Sequence, residues 1–101
     1  MHGAVRYSAR VHRDDFTVRF WGVRGSIACP GAGTVRYGGN TSSIEVRCGA
    51  RLIMFDGGTG IRNLGNRLVA EAPLDADLYL THTHFDHVCG LPFFRPFFPP
   101  Q

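Results

Sequence analysis

The stretch Thr81-His82-Thr83-His84-Phe85-Asp86-His87 holds three of the chain's five histidines within six residues, directly after the short apolar run DLYLT, Asp77 to Thr81. That run reads as a strand. Side chains in extended backbone alternate, so His82 and His84 point to one side and can reach one metal ion. Asp86 and His87 fall where the chain turns into its next element and can face a second ion nearby. Three imidazoles and a carboxylate form a donor set that zinc accepts, with manganese and iron as alternatives. A lone histidine is ordinarily a surface or satisfied core residue. Desolvating three of them with an aspartate at a strand end is costly unless a cation compensates.

Working back from the histidines, Ile61, Leu64, Leu68 and Val69 recur at helical spacing, which predicts a helix over about 60–72 that Pro73 closes. Gly65 inside it costs about 1 kcal/mol relative to alanine. Before the helix comes Asp56-Gly57-Gly58-Thr59-Gly60, where the chain must turn sharply. Before that, SIEVRC (43–48) and RLIMF (51–55) are β-prone runs joined by Gly49-Ala50, a two-residue link with glycine first, as a type II′ hairpin asks. Ile44 and Val46 set against Leu52 and Met54 are expected to supply one face. Phe16, Val18 and Phe20 alternate with Thr17, Arg19 and Trp21, the pattern of a strand ending near Val23. Residues 1–14 are polar and read as a frayed leader, with the domain over 15–101. Strand, loop, helix and strand in this order argue for an α/β layered fold.

Six glycines and one proline fall in the eighteen residues from Gly22 to Gly39, too many for a regular element. A long loop beside a strand end is worth reading for function. Arg24, Ser26, Tyr37, Asn40 and Thr41 are its candidate pocket residues, some placed to meet phosphate. The absence of lysine excludes a Walker-type phosphate loop. All eleven basic residues are arginine, and the net charge of +3 is spread along the chain. Without a basic stripe or a stacking motif, nucleic acid is not the expected partner, although a tRNA-like substrate stays open. Cys29, Cys48 and Cys89 are odd in number and too scattered for a disulfide framework, and read as free thiols. No apolar run reaches the ~18 residues of a membrane helix and the start lacks a secretion signal, so a cytoplasmic address and no membrane partner are expected.

The His-x-His-x-Asp-His run resembles the hallmark loop of the metallo-β-lactamase-fold hydrolases. The stretches FWGVRGSIACPG, YGGNTSSIEV and IMFDGGTG resemble the branch of that superfamily related to cyclic-nucleotide, tRNA 3′-processing and phosphonate-pathway phosphodiesterases. The resemblance runs from Phe16 to Phe98. It implies an αββα sandwich with a mixed sheet and flanking helix, and hydrolysis of a phosphodiester by water activated between two zinc ions. By position it makes His82 and His84 ligands of the first site, and Asp86 and His87 ligands of the second. Asp86 also helps to hold the nucleophilic hydroxide, and Asp56 orients the loop through hydrogen bonds without being a ligand. Asp56 has a plainer reading as a turn former before Gly57-Gly58.

The family's remaining ligands lie far downstream of this loop, whereas after His87 the chain has no histidine, aspartate or glutamate. The resemblance therefore implies only the first half of the sandwich, a fragment or truncated product. Such a half leaves one sheet face uncovered and the Phe-rich tail LPFFRPFFPPQ exposed, so marginal stability is expected, with self-association or dependence on a separately supplied C-terminal half. The alternative is an inactive remnant or metal-binding module that turns nothing over.

Overall fold

The computed structural model describes residues 5–11 and 14–98, with side chains from Phe16 onward. Five strands form one mixed sheet in sequence order: β1 (Val5–Val11), β2 (Asp14–Gly22), β3 (Ser43–Cys48), β4 (Arg51–Phe55) and β5 (Ala76–Tyr79). The first four pair antiparallel. β5 runs parallel to β4, as it must after a helical crossover through α1 (Gly60–Leu68). The architecture is thus α/β, with β3, β4 and their two-residue link as expected. Gly49 takes φ 58° and Ala50 no positive φ, which the II′ form requires.

Three expectations are corrected. Val5–Val11, inside the segment read as a leader, is a strand whose Val5, Tyr7 and Ala9 stand opposite Phe20, Val18 and Phe16. The alternation VRYSARV carries the two-residue period that its polar surroundings conceal. The helix ends at Leu68 and continues only as a 3-10 turn, Val69–Glu71. Most consequential is the register of β3 on β4, which pairs Val46 with Ile53 and Ile44 with Phe55, and Glu45 with Met54 and Arg47 with Leu52. Ile44 and Val46 therefore share a face with Ile53 and Phe55, not with Leu52 and Met54. Directly opposed residues lie on one side of a sheet, so pairing rather than hydrophobicity sets the company each side chain keeps.

The core forms on the α1 side, where Leu52 and Met54 meet Ile61, Leu64 and Leu68 of the helix, with Trp21, Leu74, Ala76, Leu78 and Leu91 at its margin. Phe94, from the tail, is buried in the same cluster. A Cβ on Gly65 would come within 2.7 Å of the Phe94 ring, so the glycine that weakens α1 is what admits the tail. The tail is therefore only partly free, with Phe93, Phe97 and Phe98 exposed. On the opposite face Val18, Phe20, Ile44, Val46, Ile53 and Phe55 are half-buried, Phe16 and Tyr79 are exposed, and no described helix packs over them.

Candidate metal centre

The histidine loop leaves the carboxyl end of β5 and enters the one-turn helix α2 (Phe85–Val88). It is tied to the end of β4 by backbone: Gly57 N–H donates to His87 O at 2.7 Å, and Gly90 N–H to Gly57 O at 2.8 Å. A Cβ on Gly90 would stand 2.0 Å from Gly58 O, so this approach requires glycine. Gly58 in turn donates to Ser42 O, and Thr59 N–H to Thr41 Oγ1 at 2.8 Å, which locks the turn after β4 onto the end of the Gly-rich loop.

These ties gather the three histidine rings. His82 lies with its ring centroid 4.0 Å from that of His87 and 4.6 Å from that of His84. His82 and His84 are exposed, while Asp86 and His87 are half-buried. Asp56, buried and in the left-handed region at φ 66°, sits beneath them. Thr81 donates to it through N–H (2.8 Å) and through its hydroxyl (2.8 Å to Oδ2). That hydroxyl has one proton. If it goes to Asp56, Oγ1 accepts from His82 Nδ1 at 3.0 Å and the lone pair of His82 is left on Nε2. His87 Nδ1 lies 3.0 Å from Asp56 Oδ2 but off the line of a good hydrogen bond, and its Nε2 is 3.5 Å from Asp86 Oδ2.

Burial would raise the Asp56 pKa, but the hydrogen bond from the Thr81 N–H, the close approach of the His87 ring and the hydrogen bond from the Thr81 hydroxyl outweigh it and hold the carboxyl below the usual aspartate range. Asp86 is also lowered, chiefly by the N–H of Ser26, which reaches its Oδ2 at 2.9 Å across the Gly-rich loop. Ser26 holds φ 73°, a conformation few non-glycine residues keep without a compensating contact.

The predicted ligands His82, His84, Asp86 and His87 are therefore brought to one place with Asp56 behind them. Their donor types suit a zinc-like cation. As the side chains stand, however, no three histidine, cysteine, aspartate or glutamate residues among those described form a metal-holding group. Side chains of this set must turn for three of its members to share one ion. The loop residues divide. Arg24, Tyr37 and Asn40 line open cavities, and Ser26 touches Asp86. Thr41, expected at a pocket, is instead fully buried and serves as a strut for Thr59. Sequence reasoning missed Thr81, whose signal is a hydroxyl residue adjoining the first histidine, within reach of an aspartate that needs donors. All three cysteines are free thiols, and no described helix is long and apolar enough to cross a membrane. Compared with protein-family models, curated proteins and solved structures, the chain matches none of them.

Proposed function

We propose that this chain is the metal-binding half of a metallo-β-lactamase-type hydrolase acting on a phosphodiester, a cyclic nucleotide or a related ester. The observation that carries this is the gathering of three imidazoles and Asp86 over Asp56 at the carboxyl end of a parallel strand. The chemistry a bound pair of zinc ions supplies, with manganese or iron as alternatives, is a water acidified to a pKa of about 7 and positive charge to meet the displaced oxygen. The residues' own work is positional. With its hydroxyl proton on Asp56, Thr81 would set the tautomer of His82, and Asp56 stands 3.0 Å from His87 Nδ1. The Ser26 N–H favours the ionised form of Asp86, the form a ligand or water-orienting group needs.

The open apolar face of the sheet supports dependence on a further layer, a separately supplied C-terminal half or a second copy of the chain. A second reading, a metal-binding module without turnover, is favoured by the side chains as they stand, since no three histidine, cysteine, aspartate or glutamate residues among those described form a metal-holding group. Metal content by elemental analysis, with hydrolysis of a bis-aryl phosphate assayed for the chain alone and with a C-terminal half, separates the two. Metal uptake with turnover on complementation is the expected result. Uptake without turnover in either assay selects the module. Uptake undiminished when positions 82, 84, 86 and 87 are all alanine sinks both.

A further inference from the structure

The turn that closes α1 and the docked tail face each other across a cavity of about 600 Å³. Val69, Ala72 and Pro73 line it from the turn, and Arg95, Pro96 and Phe98 from the tail. Its deepest part is fixed by the core. Leu74, which also lines it and is half-buried, packs against the core cluster, and Pro96 lies so close to α1 that a Cβ on Gly65 would come within 3.1 Å of its Cδ. Its mouth is apolar and open, with Val69 37% and Phe98 63% exposed.

The polar groups of this cavity are few. Pro73 and Pro96 have no N–H, and those of Val69, Ala72 and Phe98 are taken by Gly65 O, Val69 O and Arg95 O. The Arg95 guanidinium is the one charged group in the lining, and it pairs with no carboxylate among the described residues. Glu71 and Asp75, the acidic residues of the facing turn, do not line the cavity, and Glu71 is held by Arg47 at 3.0 Å. An unused guanidinium beside apolar walls calls for an anionic head on an apolar body. A carboxylate takes the two parallel hydrogen bonds of one guanidinium, whereas a phosphate dianion brings a second charge that no other cation of this cavity meets.

We propose that the cavity binds a medium-chain alkyl carboxylate, its chain over Leu74 and Pro96 and its head on Arg95. The aliphatic and proline lining offers no partner for the heteroatoms of a polar ring, which suits a plain hydrocarbon chain, and the volume lies in the usual range of small-ligand sites, about 300–1,000 Å³. Ala72 to Leu74 lead into β5, while the histidine loop leaves its other end. This site is therefore separate from the candidate metal centre and independent of what that centre does.

The test is calorimetric titration of the 101-residue chain with decanoate below its micelle-forming concentration, with butyrate and decanol as controls and chelator present so that zinc plays no part. Saturable one-to-one binding of decanoate is expected, at least about tenfold tighter than that of butyrate because more of its chain leaves water. Arg95→Gln should weaken decanoate about tenfold and leave decanol unchanged. Phe98→Ser, at a side chain too exposed to matter to the core, should weaken both alike. Ala72→Phe, filling the cavity, should abolish both while the circular dichroism stays native. Equal affinity of the wild type and Arg95→Gln for decanoate, or wild-type binding by natively folded Ala72→Phe, overturns the proposal. Uptake of many decanoates per chain without saturation overturns it as well, since that is adsorption to exposed phenylalanines. Binding to phosphatidylcholine vesicles without binding of monomeric decanoate also overturns it, and makes the tail a membrane-facing surface instead.

Discussion

The two faces of the sheet are unlike, and in an unexpected sense. The face under α1 is apolar along β4 and β5 but polar along β2 and β3, where Glu45, 7% exposed, accepts from Trp21 Nε1 at 2.8 Å and from Arg47 Nε at 2.8 Å. Arg47 reaches on to Glu71 beyond the helix. The other face is apolar across β2, β3 and β4, yet none of its side chains is fully buried. Burial follows coverage by α1 and the docked tail, not hydrophobicity. The chain therefore draws its stability from one small core and carries a second apolar surface that contributes little within the described residues.

The sharpest way to break this contrast is to truncate one residue on the covered side. Leu64 is fully buried between sheet and tail, and Leu64→Ala is expected to cost about 2–5 kcal/mol, enough to unfold much of a domain with so thin a core. Urea denaturation followed by circular dichroism measures it. A loss near the cost of an exposed substitution would mean that the core is not where the structure puts it.

A smaller effect is expected at the histidine-bearing end, which is held by polar ties rather than by either face. The Asp56 carboxyl has its pKa lowered in the native state, so near pH 4 the unfolded chain binds more protons than the folded one. The resulting stabilisation is fully present above the ordinary aspartate range and is lost as pH falls through the lowered native value. Asp56→Asn should cost on the order of 1–3 kcal/mol at neutral pH and flatten the acid limb of the stability profile. An acid limb of unchanged slope in the variant would detach Asp56 from the loop.

Legibility of the sequence follows the range of the interactions involved. The hairpin, the parallel strand and the helix start were readable because turn chemistry and short periods are local. The histidine run was readable because its donors lie within six residues, and Asp56 only through the family resemblance, since its place before Gly57-Gly58 suggested a turn former. The β3 and β4 faces were misassigned because SIEVRC and RLIMF show alternation but not which positions oppose each other across the turn. Phe94 looked free because its partner, Gly65, is a helical glycine whose missing side chain is the cavity it fills. The contacts of Thr81 and Ser26 were hidden for the same reason, since each joins segments separated by tens of residues.

The smallest expected effect tests the open face itself. Ile53 is half-buried there, beside Val46 across the β3–β4 pair. Ile53→Thr keeps the β-branched shape that suits a strand and adds a hydroxyl that water can reach. In an isolated chain with this face uncovered the cost should be about 1 kcal/mol, below that of Leu64→Ala, because the Ile53 side chain is only partly withdrawn from water whereas Leu64 is fully so. If the face mediates self-association, the same change should shift sedimentation toward the monomer, and the melting temperature should lose its dependence on protein concentration. A cost matching that of Leu64→Ala would show that the face is covered in solution as completely as its opposite. The single-core description of the fold would then fail.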